Sequence, residues 1–443
     1  MANILMSYFA ELGEPMYDAV AETLLKNGNN VFRLNINNPS VAAPRWGETS
    51  RIKDGELLKK ICDFEPEIIL NYNNSLPVNV YSSLNCSFTD CIIDADSINY
   101  FWNEDRLKET RDEHLYLGQQ SASKPLYDKY IGTRLDDEHY LYFPGATVIN
   151  NRNEEQNKNI SFIGTNFHLI AKPECPDYYS KDALEIHQKL SEDFFYDVSK
   201  LKEEHPGVSD VDMLSDLIKT SLAGQERIKY LQAICDLGLT IYGVRWEQAA
   251  YIDFELARCF DKTPVTTLEQ NEYIYNSSKV SVNISHPQAS TSFSWRVMDI
   301  MASNSCLATE CKKDWVDLFG DYLSDETMHY AVYSDRYDFR KKCIELLQDD
   351  DLRIHCVSEM NKAIEENGRW ESRFLALEER LGIRIVGNHN DSQEYVWIKG
   401  EKKQELNEEQ KTERYISRLL HNGMYKISHV PAIRYYLWDI IRP

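Results

Sequence analysis

Short apolar runs alternate with amphipathic helical stretches along this chain, and the alternation starts afresh near its middle. NILMSYF (3–9) is followed by a helical stretch from Met16 to Asn27, a turn at Gly28 and a second run, Asn30 to Leu34. A helix over 55–63, the run EIILN (67–71) and the run DCII (90–93) continue the series. Strands separated by helices pair in parallel, because each helix carries the chain back to the same edge of the sheet. A transition follows Phe143, and NNRNEEQNK (150–158) is almost free of apolar residues, as suits a linker. ISFIGTN (160–166) then opens a second series. It predicts a helix over 225–236, strand LTIYG (239–243), a helix over 270–277, strand VSVNI (280–284), a helix over 295–303 and strand CLAT (306–309). A helix over 337–348 and a long helix around 352–380 close it. With 443 residues, the chain also exceeds one ordinary core. The expectation is an α/β fold of two Rossmann-like lobes facing a central cleft, 1–150 and 159–385, followed by a tail, 386–443. Within the second lobe, 173–222 reads as an acidic helical insertion, with Leu184, Leu190, Phe194, Val198 and Leu201 at roughly helical spacing and the rest solvated.

A net charge of −22 argues against a nucleic-acid surface, which needs clustered Lys and Arg. It leaves room for a small phosphorylated ligand, which needs only a few local cations. The 10 cysteines are scattered without a CxxC pair, and Cys86/Cys91 and Cys306/Cys311 have no metal-binding partners in sequence, so a reducing, cytoplasmic setting is expected and no metal site. The N-terminus reads as a strand rather than a signal, and no apolar run spans a bilayer.

The stretch 273–319 carries the most chemistry. It combines a strand, a loop of small polar residues and a helix that opens with Trp295 and Arg296. Unpaired amides at a helix start attract anions. Ser290, Thr291, Ser292 and Ser294 would let phosphate oxygens approach, and Arg296 supplies a forked, permanent charge. Asp299 follows one turn later on the same face, where a carboxylate accepts hydrogen bonds from ribose hydroxyls. The plainer alternative is a capped helix with an exposed Arg296–Asp299 ion pair.

These residues resemble the C-terminal donor lobe of group 1-type glycosyltransferases, in the branch related to CgeB spore-maturation proteins. The resemblance rests on Tyr275-Asn276-Ser277-Ser278-Lys279, Asn283-Ile284, Arg296, Asp299, Ala302 and Thr309, with ISFIGTN and LTIYGVRW (239–246) upstream. It covers 160–380 well and the first lobe in outline. Asp299 stands where that family usually has Glu, and Ala302-Ser303-Asn304 lacks its glycine. The resemblance implies a GT-B-like cleft and transfer of a sugar from a nucleoside-diphosphate donor to a hydroxyl, as in bacterial surface glycan synthesis. It puts the acceptor in the first lobe and the donor in the second. Gly164 and Thr165 would face the diphosphate or the sugar, Gly243, Arg245 and Trp246 the base or phosphate side, and His286 a phosphate or sugar hydroxyl. Core packing is the alternative for Trp246, a surface cation for Arg245, and a structural role for His286.

An inverting transfer needs a general base. Glu14 follows the first strand, and Asp94 and Asp96 end CIIDADS (91–97). The alternative for Glu14 is a helix N-terminal acid favoured by the dipole, with Pro15 at the first helical position, and Asp94 and Asp96 could instead contact the acceptor or cap a helix. The Asp94/Asp96 pair also has the DxD form that holds a divalent cation, but Asp210-Val211-Asp212 shows how easily that tripeptide recurs, and no metal or other cofactor is expected. His114 is a weaker base candidate. The tail 411–443 has six Lys/Arg against two Asp/Glu interleaved with aromatics, which suits either a peripheral membrane contact or packing on the acidic body. The expected partners are therefore a nucleotide sugar and a glycan, lipid-linked or protein acceptor. Competing functions are a catalytically silent nucleotide-sugar-binding or assembly protein, and an epimerase or hydrolase on the same frame.

Overall fold

The computed structural model describes residues 2–10, 15–42, 49–93, 103–131, 135–167, 176–387 and 392–397. Glu14, Asp94, Asp96 and the tail 411–443 lie outside them.

Among the described residues, fourteen strands follow in chain order: β1 (Asn3–Tyr8), β2 (Asn30–Asn35), β3 (Val41–Ala42), β4 (Arg51–Ile52), β5 (Ile68–Tyr72), β6 (Thr89–Ile93), β7 (His114–Gly118), β8 (Tyr140–Tyr142), β9 (Lys158–Ile163), β10 (Leu239–Tyr242), β11 (Ser278–Val282), β12 (Cys306–Glu310), β13 (Val332–Tyr333) and β14 (Glu394–Val396). They build a seven-stranded sheet, β14-β2-β1-β5-β6-β7-β8, and a five-stranded sheet, β10-β9-β11-β12-β13, with β3 and β4 pairing apart. Every pairing within the two large sheets is parallel. This is the two-lobed α/β class expected from sequence. Central strands such as β1 and β5 are apolar on both faces because helices cover both sides.

Each sheet has a point where the strand order reverses. In the second it falls between β9 and β11, since the chain leaves β9 for β10 on one side and returns to β11 on the other. Such a point opens a crevice at the C-terminal strand ends. Here the ends are Gly164-Thr165 and Asn283-Ile284-Ser285.

The structure departs from the sequence expectations at the C-terminal helices and at the insertion. The helix expected near 352–380 is two helices, Asp350–Asn367 and Trp370–Leu381, broken at Gly368 and at Arg369, whose backbone is extended. The second of these leaves the second sheet: Trp370, Phe374 and Leu377 sit in the core of the first sheet with Ile4, Leu70 and Phe143. β14 then adds to that sheet beside β2. The insertion does not end before a separate helix at 225. One helix of 22 residues, Val211–Gln232, runs through both. Within the insertion, Leu190 and Leu201 are buried as expected, whereas Leu184 is 72% exposed and Phe194 lies in the turn between helices Lys181–Glu192 and Val198–Glu204.

Candidate functional site

The helix expected at 295–303 covers only Arg296–Met301, six residues. Its opening amides are largely occupied. Val297 N donates to the Ser294 carbonyl at 2.9 Å, and the amides of Met298 and Asp299 donate to the Trp295 carbonyl at 3.0 and 3.2 Å. The Trp295 ring meets Trp370 at 4.9 Å, and a Cβ on Gly145 would touch it at 2.5 Å, so this end of the helix leans on the first lobe. An anion site made of free amides does not form there.

Side-chain cations supply the charge instead. Arg296 crosses back over the end of β9, its Nη1 donating to Asn283 Oδ1 at 2.9 Å and Ser294 Oγ at 3.3 Å. Ser294 donates to the same Asn283 oxygen at 2.7 Å. Asn283 is locked by its own amide, which donates to Ser285 and Thr309 hydroxyls. Arg296 and Asp299 form no ion pair among the described residues.

A second guanidinium, missed in the sequence, joins it. Arg227 extends from the helix Val211–Gln232 and is buried, its Nη1 donating to the Thr165 carbonyl at 2.7 Å and its Nε to the Ile284 carbonyl at 3.3 Å. Those carbonyls mark the two strand ends of the crevice. Both cations approach the Phe162 ring, its centroid 5.1 Å from the Arg296 guanidinium and 5.8 Å from that of Arg227. Burial, and then the charge of Arg296, push Arg227 down to about 9, while Glu310 draws it back. Glu310 itself accepts from Ser285 N at 3.1 and 3.0 Å through its two oxygens. Buried cations are ordinarily paired with carboxylates. Neither buried Arg227 nor half-buried Arg296 has one within ion-pair distance among the described residues, so the charge of the pair at the crevice is offset only at longer range, by Glu310 and Asp299.

Two glycines make this geometry possible. Gly243 has φ +121°, and a Cβ there would lie 2.2 Å from the Gly164 carbonyl oxygen. Trp246 is fully buried, donates Nε1–H to that same carbonyl at 2.7 Å and meets Phe162 edge-on at 5.9 Å. It therefore fixes the Gly164 loop from the core side and does not line the crevice. Arg245 is exposed with a left-handed backbone, φ +67°, and it is its carbonyl that is engaged, by Asn166 at 3.0 Å. Thr165 likewise contributes its carbonyl, to Arg227.

The loop hydroxyls expected at a phosphate are partly committed elsewhere. Ser121 of the first lobe donates N–H and Oγ–H to Asp314, at 2.8 and 2.5 Å, and Thr291 Oγ1 donates to Asp314 at 3.1 Å. Gln120 Oε1 accepts from Ser290 Oγ at 3.1 Å and from Thr291 N at 3.3 Å. Ser290 and Thr291 thus join the lobes. Ser292 is buried, and Ser294 supports Arg296.

Asp299 faces the segment linking the lobes, where Thr147 Oγ1 donates to its Oδ1 at 2.6 Å. Burial pushes its carboxyl up to about 6 against the pull of Thr147, Arg296 and Arg369. His286 sits between Phe167 and Phe194 edges, at 5.1 and 5.6 Å, and its Nδ1 accepts from Gln288 N at 3.3 Å. Burial and the charge of Arg227 push it down to about 3, so the ring is neutral. His114, the weaker base candidate, is buried in β7 with Nδ1 3.0 Å from Asp90 and Nε2 2.8 Å from Thr110, inside the first lobe.

Residues 226–414 match the model of a family described as glycosyl transferase-like. Among solved structures, the chain is similar to the sucrose-phosphate synthase of Thermosynechococcus elongatus, at 12% identity over 85% of this chain and 97% of that one, with a TM-score of 0.49. It is similar to Anabaena HepE in complex with UDP and glucose, at 11% identity over 87% and 100%, with a TM-score of 0.47. S. aureus TarM, as a mutant in complex with fondaparinux, α-GlcNAc-glycerol and UDP, matches at 12% identity over 75% of this chain, with a TM-score of 0.43. The chain spans 59% of the length of that protein. No curated protein matches it. Among the described residues, no helix is long and apolar enough to cross a membrane.

Proposed function

We propose that this protein transfers a sugar from a nucleoside-diphosphate donor to an acceptor hydroxyl, with the diphosphate held by Arg227 and Arg296 in the crevice between β9 and β11. The observation that carries the reading is the pair of guanidiniums gathered at the Phe162 ring with no carboxylate within ion-pair distance among the described residues. The family match over 226–414 supports the same class of reaction. In the transfer, the bond from the sugar's anomeric carbon to the diphosphate breaks while a bond to the acceptor oxygen forms. Negative charge collects on the leaving diphosphate, and fixed cations in a partly desolvated crevice stabilise it most where it develops. Two guanidiniums do this without a metal ion, which is the basis for reading the reaction as metal-independent. Asp299, with one oxygen on Thr147, offers the other to a ribose hydroxyl. The acceptor's proton goes to a first-lobe carboxylate, for which Glu14, Asp94 and Asp96 remain the candidates. The CgeB-like motif of 275–309 supports an acceptor in a bacterial surface glycan.

Calorimetric titration of UDP, GDP, CDP and ADP, followed by a donor screen with product detection in the presence of EDTA, tests the reading. One diphosphate is expected to bind at micromolar concentration, and its sugar conjugate to turn over with EDTA present. Absence of binding by all four would overturn it.

A further inference from the structure

The helical insertion lies against the crevice, and the reason is geometric. A helix that follows a parallel strand runs back antiparallel to it, so turns added at its start project past the C-terminal edge of the sheet, where ligands sit. The helix Val211–Gln232 shows both halves of this arrangement. Ile228 and Leu231 pack in the core of the second sheet, while Leu214 and Ile218 pack in the insertion's own core with Ile186 and Leu190. Lys219 lies about 12 Å before Arg227 along that axis, at 1.5 Å per residue.

An unbroken strip of side chains connects the two cations. The Arg227 guanidinium lies 4.3 Å from the Phe167 ring, Phe167 meets His286 edge-on, His286 meets Phe194 edge-on, and Lys219 Nζ lies 5.6 Å from the Phe194 ring. Lys219 is 4% exposed and has no carboxylate within ion-pair distance among the described residues. Burial pushes its ammonium below the usual lysine range, and the nearby Asp216 and Asp193 pull it back only in part. Asp193 is itself engaged, capping the turn at the Phe195 amide at 3.0 Å. A buried, unpaired ammonium is costly, and that cost is recovered when an anionic ligand meets it.

We propose that Lys219 and Phe194 form a subsite for an anionic group, a carboxylate or phosphate carried by the transferred sugar or by the acceptor, so that the insertion sets the specificity of the crevice. The proposal rests on the reading of Arg227 and Arg296 as the diphosphate site. Neutral His286 between the cations leaves the strip free of competing positive charge, and its Nε2 can donate to a sugar oxygen once Nδ1 has accepted from Gln288.

The test is titration calorimetry on the full chain in two arms. The first compares UDP-glucose with UDP-glucuronate and GDP-mannose with GDP-mannuronate. The second titrates glycerol 3-phosphate and glycerol into protein saturated with the nucleoside diphosphate that binds. In one arm the anionic ligand is expected to bind at least about tenfold more tightly than its neutral twin, and that arm identifies the source of the charge. Lys219→Met should bring the ratio within about twofold, and Lys219→Arg should keep it. Equal affinities in both arms of the wild-type protein overturn the proposal, whether or not Lys219→Met folds. A preference that survives Lys219→Met overturns it as well. Failure of every nucleoside diphosphate to bind is a different result: it overturns the parent reading, and this one with it.

Discussion

Arg296 passes so close to Gly164 that a Cβ on the glycine would lie 3.0 Å from Nη2, and 2.8 Å from the Phe162 ring below it. The missing side chain is therefore what allows the guanidinium to lie across the end of β9. Gly164→Ala should displace Arg296 rather than unfold the sheet. The expected cost is about 1–3 kcal/mol of stability from overpacking, with roughly tenfold weaker nucleoside diphosphate binding. Thermal melts and calorimetry measure the two effects, and undiminished affinity would show that Arg296 does not act from this position.

Arg227 is expected to matter more, because both its hydrogen bonds already point it along the crevice from the Thr165 and Ile284 carbonyls. Arg227→Met keeps much of the apolar stem and removes the charge. Losing a charged hydrogen-bonding partner at a desolvated anion should weaken diphosphate binding by about 2–3 kcal/mol, or some 30–150-fold. Binding of the bare nucleoside should change little. A parallel loss for both ligands would mean that the residue holds up the fold rather than contacting phosphate.

The parts of this arrangement that were legible in sequence share a cause. The strand-loop-helix-strand unit from 278 to 310 has its strands set by apolar runs and its site residue, Arg296, set by a recognisable motif. Arg227 was not legible, since a lone arginine in RIKYLQ looks like any solvated helix cation until its helix is known to run back toward the strand ends. The insertion's polarity resembles a free surface, and only the continuity of 211–232 shows where it projects. The return to the first lobe at Gly368–Arg369 hides inside a nearly unbroken helical pattern. β7 and β8 escaped because HLYLG and YLY are short and carry polar or aromatic residues. Trp246 shows the converse: the structure takes the core-packing alternative for an aromatic at a motif position, with its indole N–H spent on Gly164.

Asp314 is 1% exposed, and its two oxygens accept from Ser121 twice and from Thr291 once. It pins the 288–291 loop to the first lobe. Asp314→Ala leaves the Ser121 amide without its partner and should cost about 2–4 kcal/mol. Because the loop also leads into Ser294 and Arg296, nucleoside diphosphate affinity should fall by about three- to tenfold alongside. Ser121→Ala removes the hydroxyl contact alone and should show the same pattern at about a third of the size. If either variant lost stability with ligand affinity untouched, the loop would be independent of the anion site.

Asp299 gives a prediction in pH. Its folded carboxyl is raised by burial to about 6, above the ordinary aspartate value of 3.8. Between those limits the folded state holds a proton that the unfolded state has released, so folding is progressively disfavoured as pH rises through the window. Below about pH 4 the cost is absent, and above about pH 6 it is fully present, at about 1–3 kcal/mol. Asp299→Asn removes the charge and keeps an oxygen for the Thr147 hydroxyl. Relative to the parent it should melt a few degrees higher at about pH 7.5 and no higher at about pH 4. The same substitution should weaken nucleoside diphosphate binding by about tenfold at pH 7.5, since a neutral amide is a poorer acceptor for ribose hydroxyls than a carboxylate. Gaining stability while losing affinity is the signature of a charge kept for a ligand. An unchanged melting temperature at pH 7.5, or an equal gain at both pH values, would remove the reason for assigning Asp299 to the ribose.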